Sequence, residues 1–129
     1  MKKTLLELYA LAVCFFAVAC FAVALGIGIY AAVGIAQPGV TINSYAYLRH
    51  QTNDAFWESE SGRYAEKDQK PRPAEAELTR QREKSMAREW ASERRDSTQT
   101  ALKCAIILLI DLVIFLFHWG IARRARSAA

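Results

Sequence analysis

Between Leu8 and Ala36 the chain runs for 29 residues without a charged side chain, and between Cys104 and Ala122 for 19 with only Asp111 interrupting. About 20 helical residues cross the ~30 Å hydrocarbon core of a bilayer, so each stretch is long enough to span one. In hydrocarbon no water can satisfy backbone N–H and C=O groups, and an isolated spanning segment must therefore be helical. These two stretches leave too little of the 129-residue chain for a sizeable globular core. The predicted fold class is an all-α membrane protein: a two-transmembrane-helix hairpin with a mostly helical, charged extramembrane segment.

Five segments follow from composition. Residues 1–36 form the N-terminal transmembrane helix, which starts near Thr4 and stops before Gln37-Pro38-Gly39, because proline and glycine end helices. Residues 37–73 read as an interfacial helix and a loop. Val40-Thr41-Ile42 is short and β-favouring, Ser44 has the character of a helix cap, and Glu58–Arg72, with Gly62 and Pro71, reads as loop. Residues 74–100 form a charged extramembrane helix, begun by Pro73 at its first position with Glu75 and Glu77 at its positive dipole end. That helix can run on into the C-terminal transmembrane helix of residues 101–122, since glycine and proline are absent from Ala74 to Trp119. The easiest place for a break is Ser97-Thr98-Gln99-Thr100. Residues 123–129 are a basic tail.

The net charge of +4 is not spread evenly. Gln37 to Thr100 holds 11 basic and 11 acidic residues, so the excess sits beside the spans, at Lys2, Lys3, Arg123, Arg124 and Arg126. Basic residues flanking a span mark the cytoplasmic side. Both termini are therefore expected in the cytoplasm and residues 37–100 outside, in a bacterial inner (plasma) membrane. The first apolar run is about twice the length of a signal-peptide core and reads as an uncleaved anchor. A balanced middle segment gives no reason to expect a nucleic-acid partner.

Small residues recur along the first span in two registers. Cys20, Ala24, Gly28, Ala32 and Ala36 fall every fourth position, and Ala10, Ala17, Ala24 and Ala31 every seventh. Such rows let helix backbones approach closely, the main source of helix association in lipid. The four-residue row is expected to pack on another helix, through a protein partner or self-association. Aromatic and basic residues near the span ends are expected as membrane-interface anchors: Tyr45, Tyr47, Phe56 and Trp57 on one side, Trp119, Arg123, Arg124 and Arg126 on the other. A competing reading makes Tyr45, Leu48, Thr52, Ala55 and Phe56 the contact face of a small extramembrane subdomain.

Polar groups inside a span are costly, about 2.5 kcal/mol or more for an ionised carboxylate at the centre, and so they need a partner, a proton or a wet cavity. Asp111 lies near the middle of the second span, where it reads first as a protonated or hydrogen-bonded anchor that fixes helix register, or as a group paired with a different polypeptide. His118 is two turns further along the same helical face. An antiparallel hairpin places Glu7 level with His118 and Asp111 level with Cys14. His50 is expected to face solvent. Cys14, Cys20 and Cys104 lie in apolar runs without a C-x-x-C pair or a histidine at ligand spacing, and read as small hydrophobes. Phosphate-loop, dinucleotide, zinc-protease and nucleophile-elbow motifs are all missing. No catalytic residue, metal ligand or cofactor is expected, and the chain does not read as an enzyme. The function expected is a non-catalytic accessory or structural subunit of a larger membrane complex or homo-oligomer, with the lipid bilayer as first partner. Two other classes stay open: an ion- or proton-conducting element using Asp111 and His118, and a tethered module recruiting a partner through its charged helix.

Overall fold

The computed structural model describes residues 2–62 and 71–127. Every regular element among them is a helix: α1 (Lys2–Ala36), α2 (Pro38–Thr41), α3 (Ser44–Arg49), α4 (Asn53–Ser61) and α5 (Glu75–Ser127). Two of these, α1 and α5, are long and apolar enough to cross a membrane. The chain divides into two units. One pairs α1 up to Ala32 with α5 from Thr98 onward, and the other is Val33–Ser97.

In the first unit the helices run antiparallel. Glu7 meets Arg126, Tyr9 meets His118, Cys14 meets Phe115, and Gly28 faces Cys104. The buried side chains of α1 are Ala10, Cys14, Ala17, Ala24 and Ala31, and those of this part of α5 are Cys104 and Ala122. The seven-residue alanine row is thus the contact face. Its spacing is the 3.5-residue average that keeps one helix seam against a partner, and its small side chains let the two backbones close in. Large apolar residues, among them Phe15, Phe16, Val18, Leu109, Val113 and Phe117, point outward.

The second unit corrects several expectations. Val40 and Thr41 are not extended; they complete the helical turn α2, in which Ile42 N donates to Pro38 O at 2.9 Å. Proline at the first position presets the helical φ, which outweighs the β preference of two branched residues. The residues from Ser44 onward form two short helices, not one. Asn43, not Ser44, caps α3, with its Oδ1 accepting from Tyr45 N at 2.8 Å. Thr52 caps α4, its Oγ1 accepting from Ala55 N at 3.1 Å, and α4 extends through Glu58 to Ser61. Helix α5 begins at Glu75, two residues beyond Pro73, and continues without a break through Ser97–Thr100 and Arg123–Arg126. The loop expected up to Arg72 falls partly on residues 63–70, outside the described residues.

The core of this unit is small and partly polar: Ala46, Phe56 and Leu78 are buried together with Arg49, His50 and Ser97. Arg49 and His50 each have partners, as burial demands, although Arg49 Nε is buried without one among the described residues. Arg49 pairs with Glu89. His50, only 7% exposed, is not solvent-facing. Its Nδ1 lies 2.6 Å from Ala46 O and its Nε2 2.9 Å from Ser85 Oγ, while its ring packs 5.5 Å from that of Phe56. A carbonyl can only accept, so Nδ1 donates to it. Arg82 donates to His50 O at 3.1 Å and to Gln51 O at 2.7 Å, satisfying carbonyls that the end of α3 leaves open. At the start of α5, Asn53 Nδ2 donates to Glu75 Oε2 at 2.9 Å and Thr79 Oγ1 at 2.8 Å. Arg72 there bridges Asp54 at 2.7 Å and Glu75 at 2.6 Å.

The tightest backbone approach lies at Gly34. A Cβ there would overlap Ser97 Oγ and sit 3.0 Å from both Ser97 Cβ and Thr41 Oγ1. Gly34→Ala is expected to lower stability by about 1–3 kcal/mol, the usual cost of overpacking. Adding Ser97→Ala, which removes the nearest atom, should return part of that loss in detergent-solubilised melts.

A second outcome concerns pH. The Glu75 carboxyl is held below its ordinary range, first by the hydrogen bond from Asn53 and then by that from Arg72. Arg72 is correspondingly raised, chiefly by its bond to Asp54. A depressed folded value means this corner contributes fully above about pH 4.3, the unfolded value, and loses its contribution as pH falls through the folded one. Carbon-detected NMR titration should give Glu75 a midpoint below that range, and Asn53→Ala should move it upward; an unmoved midpoint counts against the assignment.

Candidate functional site

The polar groups of the long helix pair are the residues around which chemistry could be organised, and the structure keeps them apart. Glu7, near the start of α1, does not reach His118. It accepts from Arg126 Nε at 3.1 Å. The reason is that α5 stays helical through its basic end, so Arg126 comes level with Glu7. The register is correspondingly shifted from the expected one. Cys14 lies against Phe115, with its Sγ 3.9 Å from Phe115 O, and so is not level with Asp111.

His118 is half-buried. Its Nδ1 donates to Ile114 O one turn back at 2.9 Å, and its ring meets the edge of Tyr9 at 6.0 Å between centroids. That geometry fixes the tautomer and orients the ring. Asp111 is also half-buried, and its Oδ2 is shielded from solvent with no hydrogen-bond partner among the described residues. A buried carboxylate oxygen without a donor costs more than a satisfied one. Within one chain, then, Asp111, His118 and Glu7 do not form a connected set.

The four-residue small row divides between two environments. Ala24 is buried and Gly28 half-buried in the α1–α5 contact, where a Cβ on Gly28 would lie 3.4 Å from that of Cys104. Cys20, Ala32 and Ala36 are exposed. Cys20, Val23, Ala24, Ile27, Cys104 and Ile107 line a shallow apolar groove of about 390 Å³ in the same unit. Among the described residues, no three His, Cys, Asp or Glu side chains are grouped so as to hold a metal ion.

Of the expected interface anchors, Tyr45 and Tyr47 are exposed. Phe56 is not an anchor: it is 5% exposed, turned into the core of the second unit against His50, and Trp57 is half-buried. Because Thr52 starts a separate helix, the Phe56 ring turns inward onto His50, which a helix-wheel reading of one continuous helix does not show. At the other end, Trp119 is exposed and stacks on Phe115 at 5.9 Å, while Arg123, Arg124 and Arg126 lie exposed on the last turns of α5, where cations favour the negative dipole end. Two features left no local trace in the sequence: the Arg49–Glu89 pair, 40 residues apart, and the contact of Gly34 with Ser97.

Because the Arg126 side chain is 71% exposed, the Glu7–Arg126 pair is a surface interaction. Glu7→Gln should therefore change stability by less than about 1 kcal/mol and lose even that in high salt; a larger loss in denaturant titrations would mean the pair is shielded. No protein-family model, curated protein or solved structure matches this chain.

Proposed function

We propose that this chain is a small, non-catalytic integral membrane protein, an accessory or structural subunit of a larger membrane complex or a homo-oligomer. The observation that carries this reading is the reversed distribution of side chains in the α1–α5 pair. Alanine and cysteine fill the contact, and phenylalanine, leucine, isoleucine and valine cover the outside. Soluble proteins rarely expose contiguous apolar patches beyond a few hundred Å². In lipid the same arrangement is favourable, because the outer residues lose nothing to the tails and the small ones gain close packing.

The subunit part of the reading is supported by Asp111, whose shielded Oδ2 lacks a donor among the described residues. A donor on a second polypeptide, identical or different, would satisfy it. Cys20, Ala32 and Ala36 are left exposed for a close helix contact of the same kind. The basic residues at both ends support placing the termini on the cytoplasmic side and residues 37–100 outside, across a bacterial plasma membrane.

Two measurements test this together. Alkaline carbonate washing should leave the chain in the membrane pellet, and native mass spectrometry of detergent extracts should find it in assemblies heavier than one chain. Asp111→Leu should weaken assembly by about 3- to 18-fold, the effect of an interhelical polar bond of roughly 0.6–1.7 kcal/mol. The isolated chain should melt no lower than the parent. Release by carbonate, or a solitary parent chain in every extract, overturns the proposal.

A further inference from the structure

Helix α3 and the turn before it are built inside out. The buried side of α3 carries Ala46 and Arg49, followed by the buried His50 at its C-terminal end, and Arg49 is only 9% exposed. Its outward side carries Tyr45, Tyr47 and Leu48, exposed by 62%, 49% and 58%, and Val40 of α2 is 69% exposed. Arginine is almost never fully buried unless paired, and Arg49 is paired with Glu89 of α5 while the apolar side chains beside it face outward. Glu89 and Ser85 of α5 bond Arg49 and His50. The outward residues Val40, Tyr45, Tyr47 and Leu48 form an apolar cluster that would gain by leaving water for a less polar medium.

The sequence indicates which medium. The uncharged stretch that begins after Glu7 does not stop where α1 ends at Ala36; the next charged residue is Arg49, which is turned inward. Val40 follows the end of α1 by four residues, so the exposed apolar positions come directly after a segment read as crossing the bilayer. Tyrosine suits the boundary between headgroups and acyl chains, with its ring in the apolar layer and its hydroxyl in the wet one. Leu48 is flanked by a shallow, mostly apolar hollow lined by Val40, Ile42, Ser44 and Tyr47 and by a mixed one where Tyr45 and Ala55 meet Glu58 and Ser59, as a boundary between acyl chains and headgroups would require.

We propose that Val40, Tyr45, Tyr47 and Leu48 form a foot that inserts into the headgroup–acyl boundary of the bilayer α1 crosses. The proposal rests on the two-span reading given above. It deepens that reading by fixing the depth of the segment that follows the first span and by naming lipid, not protein, as its occupant. It also separates the true anchors from Phe56, which belongs to the core.

The test uses the full chain in vesicles of phosphatidylcholine and phosphatidylglycerol. Cys14, Cys20 and Cys104 are replaced by alanine, and a nitroxide is attached at Tyr45→Cys or Leu48→Cys. Ala76→Cys, exposed on α5, supplies the water-facing reference, and Val18→Cys and Val113→Cys report on the spans. Power-saturation EPR compares access of oxygen with that of a water-soluble nickel chelate. The oxygen-to-nickel ratio at 45 and 48 should exceed that at 76 and fall below that at 18 and 113. Nickel access at 45 and 48 equal to that at 76 overturns the foot while leaving the spans intact. Shielding of both sites from both reagents overturns it in favour of a covering protein, either a second copy or another subunit. A water-like ratio at 18 and 113 would remove the two-span reading itself, and the foot with it. If the cysteine-free chain loses its helical circular dichroism, Tyr45→Trp in the parent gives the same answer. Lipids brominated close to the carbonyl end should quench its added fluorescence more than those brominated near the chain terminus, and equal or absent quenching overturns the proposal.

Discussion

Close contact between α1 and α5 along Ala10, Cys14, Ala17, Ala24 and Ala31 is the interaction on which the first unit depends. These side chains bury little apolar area each, so in water they would contribute little to holding two helices together. Their contribution is geometric. With no long side chains between the backbones, van der Waals contact extends along the whole seam, and the bulky residues are left to face outward. The distribution that would make a soluble hairpin aggregate is the one that suits a hairpin whose solvent is hydrocarbon.

The second unit solves the opposite problem. Its short helices are too small to be stable alone, since isolated helices below about 12–15 residues are marginal in water. They are held by α5, which supplies a carboxylate to Arg49, a hydroxyl to His50 and a guanidinium to the carbonyls that end α3. Asn43 and Thr52 cap the helices that follow them. Little apolar packing is involved beyond Ala46, Phe56 and Leu78. Such a core leans on the polar pairs it does make, because removing one partner strands the other in a low-dielectric site.

Much of this was legible in the residues. Length and charge-free composition located both long helices, but the four-residue row expected to pack was the wrong one: Cys20, Ala32 and Ala36 are exposed, and the seam follows the sevenfold spacing of alanine, which a 3.5-residue average keeps in contact. The turn at Gln37-Pro38-Gly39 was legible because proline and glycine act locally. What failed was non-local. His50 lies in a polar stretch, and nothing in its neighbours reveals that Ser85 and Phe56 will enclose it. Phe56 looked like an anchor because one helix was assumed where Thr52 starts a second. Glu7 was matched to the wrong partner because α5 was taken to end at Ala122, whereas helix continues to Ser127 and carries Arg126 into reach. The polar run Ser97–Thr100 looked like a weakness in the helix. Its first residue is instead buried where only a small side chain fits.

That last contact has a consequence for register. Gly34 and Ser97 act as notch and key: the space beside Gly34 does not admit even one additional carbon. Within the second unit, sliding α1 along α5 by a single turn, about 5.4 Å, would bring a residue carrying a Cβ to the same place, where it could not enter. One missing Cβ near the end of α1 thus leaves Ser97 a single seat.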